Sequence, residues 1–276
     1  MGSKAVGTTV FFAADDGVHG TEPWRTDGTA AGTTLVADIN PGLAGSTLLV
    51  SSAVAGAVLF FDARDGVHGD ELWKSDGTLA GTVLVKDINP GSADSDPFLL
   101  GAANGRVFFV TPPLQSSFGL SNGTAAGTVL TGTASPFQTD VTLGSNFYFD
   151  ATFITTPGLY RYDGVTLQLV QNNPGAISFT TVLNNTIYFT SGATPDGQTT
   201  LWTTDGTPQT MQVADFTSPT VNIQIGPLVA ANNLVFFTVS DGVNSQIWKT
   251  DGTPAGTVLL TPIARADNLV AVGQTV

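Results

Sequence analysis

Residues 71–91, ELWKSDGTLAGTVLVKDINPG, decide how this chain is read. Nearly the same words stand at 22–42, EPWRTDGTAAGTTLVADINPG, and a shorter form at 246–263, QIWKTDGTPAGTVLLTPI. With the Asp or Asn before each Gly as a ruler, the copies fall at Asp27, Asp76, Asn122, Asp163, Asp205 and Asp251, 41 to 49 residues apart. Self-similarity at that period marks an array of one supersecondary unit. Three residues before the ruler stand Trp24, Trp73, Gly119, Tyr160, Trp202 and Trp248, so five of six copies place a large aromatic at a position that must pack against something.

The unit resolves into four short strands. In the second copy these are 46–52, 58–62, 71–75 and 82–86, each rich in Val, Leu, Phe, Thr or Trp and bounded by turn residues. The Asp-Gly-Thr joins the third strand to the fourth, since Asp bonds its own backbone two residues on and Gly accepts a positive φ. Four antiparallel strands per unit, repeated at this period, predict an all-β six-bladed β-propeller in one domain over 1–276. Its blades are expected at about 8–38 with 267–276, 46–88, 96–132, 136–171, 176–215 and 221–262. The chain opens directly on a second-type strand, Thr9-Val-Phe-Phe-Ala13, and ends on Asn268-Leu-Val-Ala-Val272, which resembles a first strand. Strands from the two chain ends are therefore expected to share one blade and hide both sheet edges.

Composition agrees with short strands and many turns: 32 Gly, 15 Pro, and aromatics that are mostly Phe. A formal charge of −13 with only nine Lys and Arg excludes nucleic acid and anionic membranes as partners, because both need a concentrated basic surface. No apolar run reaches eighteen residues, so membrane insertion is not expected, and the amino terminus has no signal-peptide pattern. Without cysteine there is neither a disulfide framework nor a thiol nucleophile.

The stretches EPWRTDGT at 22–29, ELWKSDGT at 71–78, TLWTTDGT at 200–207 and QIWKTDGT at 246–253 resemble the ELWxxDGT repeat family of bacterial secreted or cell-surface proteins. The third copy, FGLSNGT, lacks the aromatic; the fourth, LYRYDGV, lacks the final Thr; the fifth lacks the later Gly-Thr. The resemblance implies an extracellular or surface location and propeller architecture. It carries no catalytic assignment.

Regular spacing makes Trp24, Trp73, Tyr160, Trp202 and Trp248 packing residues, and the ruler residues turn formers. The loops from second to third strands are more suggestive of a site. They read DDGVHGTE at 15–22, RDGVHGDE at 64–71 and SDGVNSQ at 240–246, and share a rim with the crossovers DINPG at 38–42 and 87–91. One rim would thus present His19, Glu22 and Asp38, then His68, Glu71 and Asp87, as ligand-binding candidates. His with carboxylates suits zinc-like ions and clustered oxygens suit calcium, with Asp16, Asp65 and Asp241 as candidate ligands. The competing reading makes the same residues turn formers, with each His capping its turn. The divergent loops 111–117, 151–157 and 191–199 are alternative places for a partner site.

No activated nucleophile, phosphate loop or dinucleotide fingerprint is present. Glu22 and Glu71 are the only glutamates and occupy equivalent places in different repeats, which argues against a glutamate pair in one cleft. The expectation is a non-catalytic extracellular binding or presentation module. Its partners would be glycans, held in lectin fashion through hydroxyl hydrogen bonds, or surface proteins; it would have no cofactor beyond calcium. The alternatives are a polysaccharide hydrolase or lyase using rim or channel aspartates, and a structural scaffold of a surface protein.

Overall fold

The computed structural model describes residues 2–47, 49–111, 117–133, 140–152, 157–163, 166–172, 176–192, 197–218, 220–263 and 269–271. Six antiparallel sheets follow one another along the chain. Sheet one is β1 (Ser3–Val6), β2 (Thr9–Asp15), β3 (Thr21–Thr26) and β4 (Thr34–Leu35); sheet two is β5 (Ser52–Ala55), β6 (Val58–Ala63), β7 (Glu71–Ser75) and β8 (Val83–Lys86). Sheet three is β9 (Phe98–Ala103), β10 (Arg106–Thr111), β11 (Ser117–Ser121) and β12 (Val129–Thr133). Sheet four is β13 (Asp140–Leu143), β14 (Asn146–Thr152), β15 (Pro157–Tyr162) and β16 (Leu167–Asn172); sheet five is β17 (Ala176–Leu183), β18 (Thr186–Gly192), β19 (Gln198–Thr204) and β20 (Thr210–Asp215). Sheet six has five strands: β21 (Gln224–Ile225) and β22 (Val229–Ala231) both pair with β23 (Leu234–Ser240), followed by β24 (Ser245–Thr250) and β25 (Val258–Ile263). Two compact units divide the chain, Met1–Pro136 and Phe137–Val276, each holding three sheets.

The expectation of a closed six-bladed propeller is corrected by this topology. β1 fills the place beside β2 that was assigned to the tail, in the register Ser3↔Phe12 to Val6↔Thr9. Residues 269–271 belong to no strand, and 268 and 272 lie outside the described residues. Among the described residues every sheet is built from consecutive strands, and none joins the two chain ends. The physical reason is the Gly7-Thr8 turn: Gly7 at φ +60 lets a two-residue hairpin start the first sheet from its own amino terminus. A second correction concerns residues 46–52, expected as a strand. There Ser46 and Thr47 donate their N–H groups to the Thr21 carbonyl, and the strand starts only at Ser52.

Each sheet is apolar on both faces because its second strand carries adjacent aromatics, and neighbours on a strand point to opposite sides. Phe61 joins Phe11 and Leu59 in the core between sheets one and two, while Phe60 joins Leu72, Val107 and Phe109 between sheets two and three. In the second unit Phe189 packs with Tyr148 and Leu159, and Tyr188 with Leu201 and Phe237. Within each unit, rings of these strands also cover the turn of the following sheet. A Cβ on Gly77 would meet the Phe11 ring at 3.3 Å, on Gly123 the Phe60 ring at 3.1 Å, and on Gly252 the Tyr188 hydroxyl at 2.6 Å. Cations reinforce the same seams: Lys74 Nζ donates to the Gly123 carbonyl at 2.7 Å, and Arg161 Nη1 to that of Gly206 at 3.3 Å.

The repeated aromatics share one register position. Each lies opposite a Phe of the second strand, from Phe12↔Trp24 and Phe61↔Trp73 to Phe149↔Tyr160, Phe189↔Trp202 and Phe237↔Trp248. The exception, Gly119, is covered by its partner, since the Phe109 ring lies where a Cβ would stand, 2.3 Å away. The gap left by the missing aromatic is thus filled from β10.

Candidate functional site

The repeated loops use their polar groups on themselves. Asp16 Oδ1 accepts from the N–H groups of Val18 and His19, and its Oδ2 meets His19 Nδ1 at 2.8 Å; Asp65 and His68 repeat this arrangement. The hydrogen bond to Asp16 raises the pKa of His19, while the backbone bond from His19 leads in lowering Asp16 to about 2. Asp241 accepts from Val243 and Asn244 in the same way, without a His. Each of these aspartates therefore closes a turn of its own.

Glu22 and Glu71 are fully buried clamps. Glu22 accepts from Ile39 N at 3.0 Å, Asn40 N at 3.3 Å and Ser46 Oγ at 2.5 Å, so it fastens the DINPG crossover to β3. Glu71 does the same with Ile88, Asn89 and Ser95. Burial raises both pKa values, and the charges of Asp38 and Asp87 add to the effect. Among the described residues neither trio, His19–Glu22–Asp38 nor His68–Glu71–Asp87, forms a cluster able to hold a metal ion: each His is bonded to its turn aspartate and each Glu to its crossover. Loops 112–116, 153–156 and 193–196 lie outside the described residues.

Where the second repeat departs from the first, a different site forms, one that the recurring motifs do not single out. Equivalent positions hold Ala13 and Asp62, Asp15 and Arg64, Thr21 and Asp70, Gly45 and Asp94, Thr47 and Asp96. The pairing of Ala14 with Glu22 and of Ala63 with Glu71 fixes this correspondence. So do the bonds from Asn40 Nδ2 to the Gly45 carbonyl and from Asn89 Nδ2 to the Asp94 carbonyl. The signal lies in aligning the repeats for their differences: GLAGST at 42–47 becomes GSADSD at 91–96.

Asp70, Asp94 and Asp96 offer oxygens that all lie within 4.8 Å of one another, an arrangement able to hold a metal ion. The crossover fixes them. The Asp70 carbonyl accepts from Ser95 N at 2.9 Å and Asp96 N at 3.1 Å, and Asp70 N donates to Asp94 Oδ1 at 2.8 Å. Asp70 is half-buried and the other two are exposed. Arg64 forks onto Asp70, with Nε 2.9 Å from Oδ1 and Nη2 on Oδ2. Burial raises the pKa of Asp96, and the neighbouring charges of Asp94 and Asp70 raise it further.

Beside the trio lies a cleft of about 310 Å³, lined by Thr21, Gly45, Thr47, Asp62, Arg64 and Asp70, with Ala44 and Val50 on its apolar side. Asp62 lines the cleft, and its Oδ1 is buried with no hydrogen-bond partner. Burial pushes the Asp62 pKa up to about 6, helped by the charges of Asp70 and Asp96 and opposed by Arg64.

Fold and site define an all-β protein of multiple antiparallel sheets with an acidic cluster able to take a cation. No family model matches the chain, and no curated protein does. Among solved structures it is similar to the computationally designed Ika8 protein, at 17% identity over 95% of this chain and 73% of that one, TM-score 0.51, a likeness of fold alone. A prolyl endopeptidase is 14% identical over 85% of this chain and 38% of its own, TM-score 0.47. The periplasmic gluconolactonase of Pseudomonas aeruginosa is 12% identical over 93% and 82%, TM-score 0.46. The comparisons name no repeat family and no lectin, and the ELWxxDGT and lectin expectations are corrected to the coarser description. The geometry agrees with that correction, because the loops expected to hold sugar hydroxyls bond to their own backbone. No helix among the described residues is long and apolar enough to cross a membrane.

Proposed function

We propose that the chain is a non-catalytic binding or presentation module whose cation is calcium, held by Asp70, Asp94 and Asp96. One observation carries the reading: three carboxylates replace Thr21, Gly45 and Thr47 of the preceding repeat and converge within 4.8 Å. Hard carboxylate oxygens supplied by the protein itself favour calcium over the smaller magnesium, which keeps several of its waters and demands tighter geometry. Three monodentate positions, one shared with Arg64, suit weak binding, on the order of 10⁻⁴ to 10⁻³ M, and hence a setting outside the cell where calcium is plentiful.

Calorimetric titration with calcium tests this. Saturable binding is expected, along with a rise in thermal stability that grows with calcium and reaches about 2.7 kcal/mol at a hundredfold excess over Kd. Asp94→Asn with Asp96→Asn should abolish both effects. Equal heats in wild type and the double variant would remove the reading.

A further inference from the structure

We propose that the cleft between the sheet one crossover and β6 binds a small organic cation, its ammonium group seated on Asp62. The proposal goes beyond the calcium reading and does not rest on it. Three features of the cleft carry it. First, Asp62 lines the cleft with a carboxylate whose Oδ1 is buried without a partner, and such a carboxylate gains most from a donor that also brings positive charge. Second, the sign of the surroundings is settled. Asp70 and Asp96 face Asp62 along with Arg64, whose guanidinium is spent on both oxygens of Asp70, so an anionic ligand would meet uncompensated negative charge. Third, the space and its walls suit a molecule rather than a bare ion. The volume of about 310 Å³ lies at the lower end for small-molecule sites. Val50 is 67% exposed beside Ala44, giving an apolar wall for a short carbon chain.

The first repeat shows what the site is built from. There the position of Asp62 is Ala13, 6% exposed and packed into the core, so the acid is an addition to a scaffold that folds without it. The wall opposite is held in an unusual backbone. Leu49 is 1% exposed at φ +50, and its N–H donates to Thr47 Oγ1 at 3.0 Å. That conformation leaves Val50 turned outward over the cleft, and strained backbone of this kind gathers at ligand sites.

The test is titration of the full chain with n-butylammonium and with n-butanol at pH 7.5 in EDTA, which removes calcium from the outcome. Saturable binding of the amine is expected, with the alcohol weaker by about tenfold or more, the factor for one charge-assisted hydrogen bond. Asp62→Asn should cost the amine about the same factor. Val50→Trp, which fills the cleft from an exposed position, should block binding without touching the acid. Asp94→Asn with Asp96→Asn should leave amine binding in place. Lowering the pH to 5 should weaken it, because proton and ammonium compete for the same oxygens. The proposal fails if Asp62→Asn binds as wild type, if the alcohol binds as well as the amine, if the acidic double variant alone abolishes binding, or if no saturable heat appears.

Discussion

Asp150 occupies in β14 the register position that Asp62 holds in β6, each one residue past the Phe that faces the repeated aromatic. It is 8% exposed, its Oδ2 accepts from Ile177 N at 3.2 Å, and its Oδ1 has no partner. Burial pushes its pKa up from 3.8 to about 6. The folded state therefore binds the proton more tightly than the unfolded chain does. Stability from this group is fully present below pH 3.8 and is lost as pH rises through about 6, by at most roughly 3 kcal/mol. Asp150→Asn keeps the acceptor for Ile177 and removes the charge. Urea denaturation should show the variant more stable than wild type by about 1–2 kcal/mol at pH 7.5 and equal to it at pH 3.5. Equal stabilities at both pH values would show that the buried carboxylate is not strained by its charge. Neither aspartate is legible as special in the sequence, because its abnormality comes from the sheet packed over it, and only the departure from Ala13 marks Asp62.

At the scale of the element, the Asp-Gly-Thr loop explains why its letters recur. In the second copy Asp76 Oδ1 accepts from Thr78 N and Thr78 Oγ1, and Thr78 Oγ1 in turn accepts from Gly81 N. Thr82 Oγ1 donates to the Thr78 carbonyl and meets Ser75 Oγ at 2.8 Å, so side chains lock the loop beside the backbone bond from Thr82 N to the Leu79 carbonyl. Gly81 is fixed by space, not by φ: a Cβ there would stand 2.0 Å from Asp76 Oδ1. The same clash recurs at Gly32, Gly127 and Gly256. Gly81→Ala should therefore displace Asp76 and destabilise the protein by about 1–3 kcal/mol, measured by chemical denaturation. A loss as small as that of an ordinary surface substitution would count against the lock. The Asp and the first Gly are legible as turn formers from residue type alone, whereas the role of the second Gly-Thr comes from the loop's internal geometry. Hairpin signals are legible only in part. Asn104-Gly105, Asn184-Asn185 and Asn232-Asn233 take positive φ at both residues of two-residue turns, whereas Gly7-Thr8 closes its two-residue turn with positive φ at Gly7 alone. A lone Gly followed by Thr is a weaker turn signal than paired Asn and Gly, and without it the tail is left to supply the first sheet's missing strand.

At the scale of the molecule, charge and architecture meet in the first unit. The chain carries nine Lys and Arg against 22 Asp and Glu, and some of those few cations are tied to turn carbonyls between sheets, as with Lys74, Lys86 and Arg161. Such a surface attracts cations over its whole extent, so a specific site must be told from a diffuse atmosphere by where its effect is felt. The trio Asp70, Asp94 and Asp96 lies wholly within Met1–Pro136, with Asp94 and Asp96 on the crossover from β8 to β9 and Asp70 just before β7. An ion there joins the start of β7 to that crossover and opposes its local opening. Diffuse screening would act on both units alike.

Amide hydrogen exchange with and without calcium separates these cases. Protection should rise at Asp70, Ser95 and Asp96, whose N–H groups are held in the crossover network, and in the neighbouring strands β7 and β9. At a tenfold excess over Kd the slowing should be about tenfold for amides that exchange by local opening of this segment, since binding stabilises the closed state by RT ln(1 + [L]/Kd). The turn amides of Gly206, Thr207, Gly252 and Thr253 in the second unit, held by equivalent side-chain bonds, should not change. Uniform slowing across both units would mean that the protein answers to ionic strength alone. Protection confined to the crossover and its neighbouring strands would tie the departures at Asp70, Asp94 and Asp96 to one cation-bearing face.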